Sequence, residues 1–462
     1  MADGTARAAA TGAIAAVAAR AGAAGAIAIA ADAGQLAVDG HRLTELDSGV
    51  RVVTEAMPSV RSAALGFWIG TGSCAETDEQ AGLSHLLEHL LFRGSERFGS
   101  LEIDQIFDGM GAELNAGTGK ETTSVYSRVL DRHLPRALEV ISDMVWRPAF
   151  EDADTEREVV LEEIAMYEDD PQDKVFDVLG EAIFGDHPLG RAIIGRAEVI
   201  ERTPLDAIAA FHAARYVPGD VVVAAAGSVD HDELVSLVEG YLPDRDGKFD
   251  LPGSPPEGAE PRVRFESKDT EQYHVALGAP GIARHDERRF ALRVLDNVLG
   301  GTSSSRLFQE VRERRGLAYS VYSFSSQYAN AGQVGIYLGT RGDNLGAALD
   351  VVGSELERLR VEPVTAEELQ RSKENVKGRL VLSLESTTAR MNRLGSSVLT
   401  GVPLLSVDEL VARIDRVTLE DVALLALELF DPSRLSAAGI GPDEEPFRAA
   451  LEPVSTTLAA AA

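Results

Sequence analysis

Apolar residues in the first half of the chain follow two periods. His41–Leu46 and Val50–Met57 alternate in polarity around Asp47-Ser48-Gly49, which predicts a β-hairpin. Ser62–Gly70 reads as a buried strand ending at Gly70-Thr71-Gly72. Gly82–Phe92 and Leu101–Gly109 then switch to helical spacing. Glu113–Thr118 and Glu121–Val129 return to strand character. Leu134–Val145 and Thr155–Tyr167 are predicted helices, the second strongly acidic. Val221–Ala226 is an apolar run suited to a strand buried on both faces.

Five prolines (Pro243, Pro252, Pro255, Pro256, Pro261) lie among Gly and Asp and mark residues 244–261 as a linker. The second half then repeats the first in outline. His274–Ala279, Gly316–Phe324 and Gln333–Gly339 read as strands and Arg289–Leu299 as a helix. Long helices start at Leu345 and Ala366, and Leu435–Gly441 echoes Val221–Gly227. The expected fold is α+β, two duplicated units, each a mostly antiparallel sheet packed by helices. The expected domains are an Ala/Gly-rich disordered extension (1–38), a first α+β unit (39–243), the linker, a second homologous unit (262–450) and a tail (451–462).

Charge narrows the partners. Lys and Arg number 44 against 74 Asp and Glu, a net charge of −30. That balance disfavours nucleic acid and anionic membrane and attracts cationic ligands. The single cysteine, Cys74, excludes an internal disulfide and a Cys-rich metal site. The Ala-rich start has an acid and no base in Met1-Ala2-Asp3-Gly4 and makes a poor export signal. No stretch reaches about 18 uninterrupted apolar residues, so the expectation is a soluble, cytoplasmic protein.

The chemistry concentrates in His85-Leu86-Leu87-Glu88-His89. On a helix, His85 and His89 are four apart and can reach one metal, with Glu88 beside them. This H-x-x-E-H order inverts the H-E-x-x-H zincin pattern. Leu83, Leu86, Leu87, Leu90, Leu91 and Phe92 predict a buried helix, where an unpaired His-Glu-His cluster would be costly. A third protein ligand is needed. The acidic helix offers Glu156, Glu158, Glu162, Glu163 and Glu168, and spacing alone does not choose among them.

Four segments together resemble the pitrilysin/insulinase family of zinc peptidases, most of all the mitochondrial processing peptidase branch and its bacterial relatives. They are Gly82–His89, Glu113-Leu114-Asn115-Ala116, Glu156–Glu163 and Gly300–Tyr322, within a resemblance covering about residues 40–445. The resemblance implies one Zn²⁺ per chain held by His85, His89 and Glu163, with Glu162 the rival ligand and Glu156 an auxiliary carboxylate. It implies substrate pairing along Glu113–Thr118, with Asn115 and Ala116 facing the peptide. It implies an Arg312–Tyr319 pair that contacts substrate and stabilises the oxyanion. Asp173 and Asp177 match acidic positions that accept a substrate arginine. A closed chamber in this family needs four such units, which implies a homodimer or a heterodimer with a paralogue, bringing Arg312 and Tyr319 to the partner's zinc.

The expected activity is therefore zinc metalloendopeptidase action on peptides or presequence-like segments, with Glu88 activating water held at the zinc. The alternatives are a peptidase that matures a small modified peptide or cofactor precursor, a non-catalytic structural subunit of the same family, and a metal-binding partner protein outside catalysis.

Overall fold

The computed structural model describes residues 36–38, 40–249, 253, 255–256 and 260–460. All but the last three residues of the expected 1–38 extension therefore lie outside the described residues. Residues 36–38 form a short strand rather than part of a disordered extension.

Among the described residues, twelve strands form two sheets. The first holds β1 (Leu36–Val38), β2 (His41–Glu45), β3 (Arg51–Ala56), β4 (Ser62–Ile69), β5 (Glu113–Thr118), β6 (Thr123–Leu130) and β7 (Val221–Gly227). Their order is β1-β2-β3-β7-β4-β6-β5. The second holds β8 (Val263–Ser267), β9 (Tyr273–Gly281), β10 (Ser320–Gln327), β11 (Gly332–Thr340) and β12 (Ser436–Gly441), ordered β10-β11-β9-β12-β8. Read from the other end, the second order matches β3-β7-β4-β6-β5 strand for strand. Each sheet is antiparallel except for one parallel pair, β3 with β7 and β8 with β12, at matching places. The duplication read from the sequence is thus present in the topology, and the fold is α+β with two such units.

One face of each sheet packs against helices of its own half. The opposite face is covered from the other half. The Thr387–Thr400 helix lays Met391 and Leu394 on Val53, Ala64, Trp68, Val222, Ala224 and Ala226 of the first sheet. The Pro171–Phe184 helix lays Val175, Val178, Leu179 and Ile183 on Ala276, Tyr337, Ala438 and Ile440 of the second. Alanines on β7 and β12 keep the sheet surface low enough for a helix to approach closely. Polar contacts pin the first of these crossings. Arg390 pairs with Glu55, and Arg51 Nη1 donates to the Val398 carbonyl at 2.9 Å. The linker therefore divides the sequence, while the packing crosses it in both directions.

Three boundaries differ from expectation for local reasons. β6 starts at Thr123, two residues late, because residues 119–122 form a turn closed by Gly119 N–H to Thr122 O at 2.7 Å. β10 starts at Ser320 rather than Gly316, because residues 308–313 are helical and Gly316 turns the chain at φ +60°. Residues 451–460 are not a tail. Leu451, Val454 and Leu458 are buried in the second core. Among the described residues, no helix is long and apolar enough to cross a membrane.

The exchanged helices give a stability prediction. A Cβ on Gly395 would lie 2.2 Å from Cδ2 of the buried Trp68 ring. Gly395→Ala should therefore destabilise the chain by about 1–3 kcal/mol, the usual cost of overpacking a filled core. Urea denaturation measures it. A midpoint equal to that of the wild type would mean that Trp68 has room to move.

Candidate functional site

The site is built on the Leu83–Leu91 helix. Leu83, Leu86, Leu87, Leu90 and Leu91 are at most 1% exposed, so the helix is fixed in the first core on almost every side. The remaining stripe carries His85, Glu88 and His89. Glu76, itself buried, fixes the helix start. Its carboxylate accepts from Gly82 N at 2.9 Å and Ser84 N at 2.7 Å. Gly82 sits at φ +101° with Ile194 O 2.9 Å from where a Cβ would be, so no larger residue fits there.

The acidic helix (Ala153–Asp169) crosses the open stripe and brings two glutamates to it from consecutive double turns. Glu163 places one oxygen 3.6 Å from His85 Nε2 and the other 3.2 Å from His89 Nε2. Ligand atoms of His85, His89 and Glu163 all lie within 4.8 Å of one another, the one such cluster among the described residues. Glu162, the rival on sequence, points to solvent instead. Glu156 lies behind the cluster, 4% exposed, where it accepts from His89 Nδ1–H at 2.8 Å and pairs with Arg93. That bond engages Nδ1 and leaves Nε2 as the ring nitrogen that faces Glu163. Burial pushes the His85 pKa down, the neighbouring His89 adds to it, and Glu163 opposes it. Two imidazoles and one carboxylate form the three-donor, open-sided set that a catalytic zinc takes. The residues fit such an ion.

Glu88 stands beside the donors and outside them. Burial raises its carboxyl pKa, and the Thr118 hydroxyl, which donates to Oε2, opposes the rise. Thr118 is the last residue of β5, the free edge of the first sheet. Cavities lie on both sides of the cluster. One of about 320 Å³ is lined by Glu88, His89, Phe92, Arg93, Asn115 and Glu156 among others. Ala116 also lines it, while Asn115 turns its Oδ1 back onto the Ala116 N–H at 2.8 Å. The other, of about 340 Å³, joins His85, Glu88 and Glu163 to Thr118, Tyr167 and Asp177.

The structure thus brings together His85, Glu88, His89, Asn115, Ala116, Glu156, Glu163 and Asp177. Asp173 is exposed and lines neither cavity. Asp177 is largely buried, which raises its pKa, with Lys120 and Tyr167 acting against that rise. Arg312 and Tyr319 belong to the second half and line neither cavity. They meet each other, the guanidinium 4.1 Å from the ring centroid and Arg312 Nη1 donating to Tyr319 O at 3.0 Å, with Tyr319 76% exposed. The sequence reading missed Glu76, Arg93, Thr118 and Tyr167. Arg93 follows His89 by four residues, one helical turn, and that spacing was the available signal. Glu76, Thr118 and Tyr167 reach the site only through tertiary folding.

Comparisons with known proteins bear on the family and the fold. Residues 51–197 match the family model described as Insulinase (Peptidase family M16). Residues 204–376 match the model described as Peptidase M16 inactive domain. A Streptomyces coelicolor protein named as an uncharacterized zinc protease is 43% identical over 420 residues, covering 88% of this chain and 91% of its own. A Bacillus subtilis protein with the same description is 41% identical over 389 residues, covering 83% and 94%. A protease from Helicobacter pylori superposes with TM-score 0.81 at 22% identity, over 87% of this chain and 99% of its own. A Pseudomonas fluorescens structure described as a peptidase M16 inactive domain gives TM-score 0.79 at 24% identity, over 87% and 98%. These two structures bear on the fold.

Glu76 yields a prediction. Burial pushes its carboxyl up to about 7 against the pull of its two backbone N–H bonds. A carboxyl raised on folding favours the folded state most below its unfolded pKa of 4.5, and that contribution is lost as pH rises through about 7. Wild type should therefore lose up to about 3 kcal/mol relative to Glu76→Gln between pH 4.5 and 8, a shift of a few pKa units. Denaturation at both pH values measures it. A difference that does not change with pH would mean that Glu76 stays ionised throughout.

Proposed function

The chain belongs to the insulinase (peptidase M16) family of zinc peptidases, and from that premise we propose that it is an endopeptidase in which Glu88 moves the proton. The observation that carries this reading is the convergence of His85, His89 and Glu163 beside a carboxylate that is not one of the three donors.

His85 and His89, through Nε2, and Glu163 would hold the zinc. When bound, zinc supplies Lewis-acid polarisation of a peptide carbonyl and makes water at the site more acidic. The other roles fall to the protein. Glu156 and Arg93 keep the His89 proton on Nδ1. Glu88, oriented by Thr118, accepts a proton from the attacking water and returns it to the departing amine, a transfer that needs a carboxyl pKa shifted toward the working pH. The free edge of β5 would pair with the peptide backbone, with Asn115 and Ala116 alongside.

Asp177 lines the same cavity as His85 and would face a basic substrate side chain, with the exposed Asp173 four residues before it on the same helix. The net charge of −30 supports a basic peptide as substrate. We assign Arg312 and Tyr319 to the oxyanion of a partner chain's site in a homodimer or paralogue heterodimer, since neither lines a cavity of this chain's own cluster. One zinc per chain, processing-peptidase specificity and a cytoplasmic setting belong to the same proposal. A non-catalytic subunit is the second reading, and the complete donor set beside Glu88 speaks against it.

The test is cleavage of a basic, Arg-containing peptide of roughly 20–30 residues, with zinc counted in each variant. Wild type should cut and hold one zinc. Glu88→Gln should hold zinc and fall by at least about 100-fold in rate, at the low end of proton-transfer effects. His89→Ala should lose both. If Glu88→Gln cuts at the wild-type rate, the proton passes through another group.

A further inference from the structure

The turn between β5 and β6, residues 119–122, lies at the end of the strand that carries Thr118. First-half groups hold one side of it. Ser73 N–H donates to Gly119 O at 3.1 Å and Cys74 N–H to Lys120 O at 2.7 Å, while Lys120 Nζ reaches Arg191 O. The second half holds the other side through a single residue. The Glu121 carboxylate pairs with Arg284 and accepts the Ala329 N–H at 2.9 and 3.2 Å. Arg284 follows β9, and Ala329 sits in the β10–β11 turn. Arg284 N–H donates to Tyr328 O at 2.8 Å, so the two loops form one clamp. The ion pair is largely shielded, with side chains 13% and 21% exposed.

An edge strand is restrained by one neighbouring strand, and among the described residues β5 pairs only with β6. The clamped Glu121 follows by three positions Thr118, whose hydroxyl bonds Glu88. We propose that Glu121 and Arg284 are positioning residues through which the second half holds the β5–β6 turn, and with it Thr118 and Glu88, in the reactive arrangement. This rests on the reading of Glu88 given above. It assigns the half without the metal cluster a direct part in the reaction of its own chain. The metal donors lie on other elements, so the clasp bears on the proton-transferring group and the peptide-pairing edge rather than on metal binding.

The experiment compares the full chain, zinc-loaded, as wild type, Glu121→Ala, Arg284→Ala and the double variant. Three quantities are read: kcat and KM on the basic peptide, zinc affinity by chelator competition, and hydrogen exchange across residues 113–122. Each single variant should lower kcat by about 10-fold or more, since small misplacements of a reacting group are costly. The double variant should be no worse than the weaker single, because both break one clasp. Zinc affinity should stay within about two-fold, and exchange should rise in 113–122 while β9 and β11 keep their protection. Unchanged kcat with unchanged exchange overturns the proposal, as do losses that add in the double variant or that track lost zinc. If Glu121→Ala does not fold, Glu121→Gln, which keeps an acceptor for Ala329 and loses the ion pair, gives the same readouts. If wild type cuts nothing, the peptidase reading fails, and exchange in 113–122 still decides whether the clasp holds the strand.

Discussion

Exchange of one helix between the halves is the interaction on which the rest of the structure depends. The first sheet leaves Trp68 and the small residues of β7 bare until Met391 and Leu394 arrive from residues 387–400. The second leaves Ala276, Tyr337 and Ala438 bare until the 171–184 helix arrives. Neither half can bury its sheet alone, so neither has its full hydrophobic stabilisation alone. The exchange also fixes one sheet against the other. Only with that fixed can a side chain such as Arg284 meet a turn of the other half at hydrogen-bonding distance. The 171–184 helix begins two residues after the acidic helix ends, so the segment that carries Glu163 is anchored at its far end to the second sheet.

Within the first half, four carboxylates gather around one helix, and their surroundings set them apart. Glu76 spends both oxygens on helix N–H groups and is buried there. Glu156 is buried too, between His89 and Arg93. Glu88 is shielded, so burial raises its pKa, with the Thr118 hydroxyl opposing the rise. Glu163 is 45% exposed at its side chain and faces two imidazole nitrogens. A buried carboxylate without compensation would be expensive, and each of these has a different compensation. The helix cap, and the proposed histidine orienter, proton carrier and metal donor, are thus separated by environment, although all four residues are glutamate.

Much of this was legible in the sequence because it is local. The period of the Leu83–Leu91 helix and the four-residue spacing of its histidines require no tertiary information. The same holds for the alternation that marks β2 and β3. Glu163 was different. Spacing offered five glutamates, and family resemblance made the choice that the structure then matched geometrically, with Glu162 turned to solvent. What stayed hidden was nonlocal. Nothing in Thr387–Thr400 announces that its apolar face belongs to a sheet more than 150 residues earlier. Glu121 read as the start of a strand, whereas it is a turn residue whose partners are 163 and 208 positions away. The C-terminal residues read as a tail because one Leu or Val every three or four positions is too sparse a signal until a core is there to receive it.

The two halves share a strand order but make opposite demands on the helix that follows the second strand of the repeat. After β4, that helix must leave a polar stripe open to a cavity. After β9, Arg289–Leu299 buries Phe290, Ala291, Leu292, Val294, Leu295, Val298 and Leu299 and carries no histidine. Two of its polar residues turn inward as well, Asn297 bonding Asn375 at 2.8 Å and Asp296 accepting from the Ser323 hydroxyl on β10, while Arg293 is exposed. A helix without histidine cannot present the same metal ligands, but its buried face ties β9, β10 and their loops into the second core. Firmness is what an edge strand lacks. With β6 as its one partner, β5 keeps half of its backbone groups unpaired, and the same openness that would let it take up a peptide leaves its position loosely defined. A duplicated unit without the metal cluster, but with a rigid loop pair at the end of that strand, corrects the weakness without covering the edge.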